Sequence, residues 1–178
     1  MNVNRTARGE MPDFDTLIDE YRDNLIFFIN GYVNDYHSAE DIASDTFAWM
    51  LVNGKRYDSR ASFKTFLFTV ARSKALDFLR HNKVIEFAPL DEADAYDGGD
   101  IEAKVIENER KRALHRALSS LPEDMRTAIY LVYFEDMSYN DAASVMKKSK
   151  KQVDNLLFRA KNELRTSLGK DDLFNENA

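Results

Sequence analysis

The chain has 178 residues, 25 of them Lys or Arg and 31 Asp or Glu, for a formal net charge of −6, and 44% are hydrophobic. That hydrophobic share excludes wholesale disorder, and the absence of cysteine excludes disulfides, thiolate metal sites and a catalytic thiol. No apolar run is long enough to span a bilayer, and Met1–Met11 carries Arg5 and Arg8 without a signal-peptide core, so a cytoplasmic protein with no membrane insertion is expected.

Gly and Pro are scarce, and residues 55–88 contain neither, which predicts long helices in place of many short strands. Phe14, Leu17, Ile18, Tyr21, Leu25, Phe28, Ile29 and Tyr32 keep helical spacing and predict a first amphipathic helix, with a break expected near Gly31. Ser38 and Asp41 have the spacing of a capping box. The helix they open turns Ile42, Ala43, Thr46, Trp49 and Met50 to one side and Asp41, Ser44, Asp45 and Ala48 to the other. A polar loop, 53–60, precedes a long helix over 62–83. The inner face of that helix is expected to hold Phe63, Leu67, Val70, Ala71, Ala75 and Phe78, and its outer arc Arg72, Leu76, Arg80 and Lys83.

The composition then changes. Val84–Ala103 has seven acidic residues, no Lys or Arg, and Pro89 and Gly98-Gly99, which reads as an acidic flexible linker. Helical patterning returns from about 101 to 118. Pro122-Glu123 opens another helix, with Ile129, Val132 and Tyr133 as its expected buried side chains. Two capping boxes, Ser138…Asp141 and Ser149…Gln152, then bracket a short helix over Tyr139–Met146, a turn Lys147-Lys148-Ser149 and a longer helix over Lys150–Leu168. This is helix-turn-helix spacing. Val153, Leu156, Leu157, Ala160 and Leu164 form its inner stripe, and Lys151, Asn155, Phe158, Arg159 and Asn162 the opposite face, suited to base edges and phosphates.

The fold class expected is all-α: two small helical domains, the second a helix-turn-helix, joined by the linker. The charge supports a nucleic-acid role once it is partitioned. Residues 55–83 carry 8 basic and 2 acidic residues, and Lys147–Arg165 carries 7 and 2, so net +6 and +5 stand in an acidic background. A solvated basic face is the plainer meaning of either cluster.

Ser38-Ala-Glu-Asp-Ile-Ala-Ser-Asp-Thr-Phe47 and Ser62–Arg80 resemble region 2 of bacterial sigma-70 family RNA polymerase sigma factors. Leu118–Pro122, Met137–Ala143 and Gln152–Lys161 resemble region 4, and the order and length are those of the extracytoplasmic-function group. The resemblance implies a sigma factor that binds core RNA polymerase and directs promoter-specific initiation, not an enzyme. It implies domains at 11–84 and 104–170 with the linker at 85–103. It places core-polymerase docking on Glu40, Asp41, Ser44, Asp45 and Phe47, and minus-10 contacts on Tyr57, Arg60, Lys64, Arg72, Lys74, Arg80 and Lys83. Minus-35 contacts fall on Lys147, Lys148, Lys150, Lys151, Gln152, Asn155 and Arg159. An anti-sigma partner is implied; no cofactor, metal or small-molecule substrate is. The sequence departs from the family pattern at Ser44, Ser73, Lys147, Lys148 and Asp154.

Two other readings compete. One is a stand-alone helix-turn-helix regulator, which −6 disfavours because phosphate attraction dominates free-DNA affinity. The other is a carboxylate-metal hydrolase on Asp13, Asp15, Glu40, Asp41 and Asp45, for which His37, His81 and His115 are too scattered to supply ligands.

Overall fold

In a computed structural model, residues 14–54, 57, 61–82, 114 and 116–168 are described, and among them all regular structure is helical. The acidic linker at 85–103, Arg60, Lys83 and most of the helix expected over 101–118 lie outside the described residues; 116–120 are helical.

Helix α1 spans Phe14–Val33 and buries Leu17, Leu25, Ile26, Phe28, Ile29 and Tyr32. It runs through Gly31 without the expected break, because an isolated glycine costs a helix only about 1 kcal/mol. The helix ends one turn later, where Asn34 takes a left-handed φ of 52° and donates its N–H to the Asn30 carbonyl at 2.9 Å. Helix α2, Tyr36–Asn53, is capped by Asp35, not by the Ser38–Asp41 box: the Asp35 carboxylate accepts from the Ser38 N–H at 2.8 Å. Asp35 stands three residues earlier, and it takes the donor at Ser38 that an Ncap side chain needs. These hydrogen bonds from Ser38 hold the Asp35 carboxyl below its ordinary pKa. Helix α3, Phe63–Asn82, follows, and α1, α2 and α3 pack on one another.

Helix α4, Glu123–Ile129, begins after Pro122 and widens into a π turn, Tyr130–Phe134. The turn changes which side chains face inward: Tyr130 and Leu131 are buried, Val132 is half-buried, and Tyr133 is exposed against expectation. Helices α5, Tyr139–Met146, and α6, Lys150–Leu168, have the predicted bounds. Helix α6 buries Val153, Leu157, Ala160 and Leu164, leaving Leu156 half-buried.

The two helical halves dock on each other through α1 against α4 and α3 against α5. The middle of the seam is aromatic. Phe68, 0% exposed, lies 5.0 Å from Phe28 and 6.5 Å from Tyr130 between ring centroids, and Tyr130 stacks on Phe134 at 5.5 Å. Burying a ring of this size contributes about 1.5–3 kcal/mol. This explains why Phe68 is more deeply buried than Val70 and Phe78, which the helical pattern of α3 placed inside and which are only half-buried.

Candidate nucleic-acid interface

The helix-turn-helix is built by its caps. Ser138 Oγ accepts from the Asp141 N–H at 3.1 Å and donates to the Asp141 carboxylate at 2.5 Å. Ser149 Oγ accepts from the Gln152 N–H at 3.2 Å, and Gln152 Oε1 accepts from the Ser149 N–H at 2.7 Å, a reciprocal capping box. Between them Lys147 turns the chain with a left-handed φ of 54°, and its N–H and that of Lys148 close onto α5 carbonyls. Lys148 Nζ lies 3.0 Å from Asp124 Oδ2, so this lysine is tied to α4.

With α6 fixed in this way, Lys151, Asn155 and Arg159 stand exposed at intervals of four residues, one per turn. Lys150 and Gln152 are exposed at the helix entry, as is Lys147 in the turn. Phe158 joins the same face at 67% exposure, and the exposed carboxylates of Asp154 and Glu163 flank it. The face offers cationic and amide donors in a row, with an apolar ring among them, as a groove-reading helix requires. Lys161 is drawn aside, its Nζ 4.8 Å from the centre of the Tyr133 ring. Burial raises the pKa of the Tyr139 hydroxyl near it.

The second basic segment is differently arranged. Tyr57 is half-buried, packs on Phe63 and Phe66 at 5.8 and 5.6 Å, and donates to the Ala61 carbonyl at 2.9 Å. In this state its ring is occupied by its neighbours. Lys64 points into the seam, where its Nζ donates to the Glu135 carbonyl at 2.6 Å and lies 2.7 Å from Oε2 of the same residue. Lys74 pairs with Asp45 at 3.7 Å and Arg80 with Asp77 at 2.9 Å. Arg72 is half-buried beside Tyr32, whose pKa is raised by burial and pulled back by the Thr127 hydrogen bond and this guanidinium.

On α2, Asp41, Ser44 and Asp45 are exposed and share one side, and Glu40 is half-buried and ion-paired to Arg22. Phe47 is not at an edge. It is 6% exposed and meets Phe14 edge-on at 6.5 Å, so in this structure it supports the helix from within.

Sequence reasoning missed Glu135. It is 2% exposed, faces Lys64, and accepts from the Tyr130 hydroxyl at 3.1 Å, whose pKa is raised by burial and, beyond that, by this carboxylate. The available signal was a carboxylate directly after the apolar run Tyr130–Phe134.

Comparison with known proteins matches residues 17–84 to sigma-70 region 2 and residues 111–164 to sigma-70 region 4. RNA polymerase sigma-H factor of Pseudomonas aeruginosa is 30% identical, over 93% of this chain and 91% of its own. The extracytoplasmic-function sigma factor SigM of Bacillus subtilis is 27% identical, over 85% and 92%. Among solved structures, the sigma factor RpoE of Bartonella quintana, in complex with the anti-sigma factor NepR, superposes with a TM-score of 0.72 at 21% identity, covering 91% of this chain and all of that one. CnrH in complex with the cytosolic domain of CnrY gives 0.64 at 22% identity, over 92% of each chain.

Proposed function

This chain belongs to the sigma-70 family of RNA polymerase sigma factors, in its extracytoplasmic-function group, and from that premise we propose that it binds core RNA polymerase and directs it to a specific set of promoters. The observation that carries the reading is the row Lys151, Asn155 and Arg159, held exposed on a capped recognition helix, which would read the minus-35 element. Asp41, Ser44 and Asp45 offer an acidic face to a basic surface of the polymerase, where charge complementarity speeds encounter and fixes register. The basic residues of α3 would take the separated minus-10 strand. The division into a region 2-like domain at 11–84, a linker at 85–103 and a region 4-like domain at 104–170 is part of the proposal.

The same reading makes the protein a cytoplasmic initiation factor with no catalytic step of its own. An anti-sigma factor is its expected regulator; two of the similar solved structures are complexes, one with a named anti-sigma factor. The test is reconstitution. Purified protein should co-elute with core polymerase, and the two together should start transcripts at defined sites on genomic fragments. A chain that neither co-elutes nor supports a specific start is not a sigma factor. Tight, specific duplex binding without polymerase would make it a stand-alone regulator.

A further inference from the structure

A crevice of about 270 Å³ opens where α1 faces α4 and the π turn. An apolar cavity of about 150 Å³ holds a benzene molecule, so this one has room for a ligand of one or two rings. Its apolar wall is aromatic. Phe27 lies 5.4 Å from Tyr130 and 6.3 Å from Phe134 between ring centroids. Phe27 and Phe134 nevertheless stay 44% and 46% exposed. Rings left open to water in this way gain from a further aromatic surface laid against them.

Around this wall the protein's own packing leaves groups unused. Arg126 lines the crevice from α4, and its Nη1 donates to the Ser119 carbonyl at 3.0 Å, which fixes the guanidinium. No carboxylate pairs with it among the described residues. With Nη1 held, the Nε–Nη2 edge remains, and that edge takes a carboxylate through two parallel bonds. Gly31 borders it: the nearest neighbour that a Cβ on this residue would meet is Arg126 Nε at 3.9 Å, an ordinary contact. Glycine inside a helix costs about 1 kcal/mol against alanine, yet alanine would fit here. Packing within the chain therefore does not require the glycine, and the space it leaves belongs to the crevice. The preceding residue, Asn30, has its Oδ1 buried without a hydrogen-bond partner among the described residues, a state that costs about 1–3 kcal/mol. Asn30 is half-buried and lines the crevice, so a turn of its amide presents a ligand with a donor or an acceptor.

We propose that this crevice is a binding site for a small aromatic carboxylate, its ring laid against Phe27 and Phe134, its carboxylate on Arg126, and Asn30 holding a polar substituent. The guanidinium beside a wall of rings suits one negative charge on an aromatic body, whereas a phosphate would bring about two. The site does not depend on the sigma-factor reading, and its test needs neither polymerase nor DNA. The full chain is titrated with phenylacetate, cinnamate and naphthoate, and binding is followed by calorimetry and by melting temperature. Benzyl alcohol and inorganic phosphate are the controls, one carrying only the ring and the other only the charge. At least one of the acids should bind and raise the melting temperature, and neither control should. Arg126→Gln should weaken that binding at least tenfold. Gly31→Leu, which fills the crevice from α1 and removes no contact, should abolish it. Failure of all three acids to bind at millimolar concentration would overturn the proposal. So would undiminished binding by Gly31→Leu, or equal binding of phosphate alone. If Arg126→Gln does not fold, Gly31→Leu, with the guanidinium intact, decides the question.

Discussion

Lys74 Nζ lies 3.7 Å from Asp45 Oδ2, which joins a candidate DNA contact on α3 to a candidate polymerase contact on α2. The Asp45 side chain is 79% exposed, so the pair contributes well under 1 kcal/mol to stability. Asp45→Arg should therefore fold normally while reversing the charge offered to polymerase. Its complex with core enzyme should weaken tenfold or more by co-elution or competition, with an unchanged melting temperature.

The complementary substitutions lie on α6. Arg159→Ala and Lys151→Ala remove exposed donors and no packing. A residue that contacts a base edge should cost about 1–3 kcal/mol, roughly 5- to 150-fold in promoter use, and relax selectivity at its position. A residue that contacts phosphate should weaken all promoters alike and flatten the salt dependence by about one unit of slope. Core binding should be unaffected in both. Loss of core binding by a folded Arg159→Ala protein would contradict the assignment of tasks.

The parts of this structure legible in the sequence are local. Ser149 and Gln152 cap α6 because their spacing alone sets the geometry, and the Lys151–Asn155–Arg159 row follows from helical period. Ser38 was misleading because Asp35 competes for the same N-terminus from three residues upstream. The π turn at Tyr130–Phe134 has no residue signature, so the inward face there was assigned to Tyr133 and not to Tyr130. Phe68 and Glu135 owe their burial largely to residues far away in the chain, Phe68 to Phe28 and Tyr130 and Glu135 to Lys64, which no periodicity records. The polar seam and the occupied state of Lys64 were invisible for the same reason.

Lys147 provides a stability test of the helix-turn-helix. A non-glycine residue in the left-handed region is strained by roughly 1 kcal/mol, and glycine relieves it. Lys147→Gly should raise the melting temperature by a few degrees, at about 2–4 °C per kcal/mol for a chain of this size, while weakening DNA binding slightly through the lost charge. Ser149→Ala should act oppositely, costing about 1 kcal/mol through the lost cap. A scanning thermal melt distinguishes the two signs directly.

Asp35 gives a pH dependence of known sign. Its folded-state pKa is lowered by the Ser38 hydrogen bonds, so its contribution to stability is present above the unfolded-state value and is lost as pH falls through the folded one. The affected window is below about pH 4. Asp35→Asn keeps a capping side chain but removes the titration. Denaturant midpoints measured from pH 6 to pH 2.5 should fall less for the variant than for the unmodified protein, and parallel curves would show that Asp35 does not contribute.

Phe68 tests whether the two halves fold as one unit. Its ring is fully buried and touches both Phe28 of its own half and Tyr130 of the other. Removing it leaves a cavity that cannot close without drawing the halves together, so Phe68→Ala should cost about 3–5 kcal/mol. Phe66, half-buried against Trp49 and Tyr57, serves as the control because its ring contacts stay within the first half. Phe66→Ala should lower stability less and keep a single cooperative transition. Phe68→Ala should broaden or split the melt monitored by calorimetry, since the C-terminal half then keeps only the Phe27 and Phe28 rings against Tyr130 at the aromatic seam while its own core, Met125, Leu131, Val153 and Leu157, stays intact. A single, equally sharp transition in Phe68→Ala would mean that the halves are coupled chiefly by the other seam contacts, the Phe27 and Phe28 rings on Tyr130 and the polar contacts at Lys64 and Thr65.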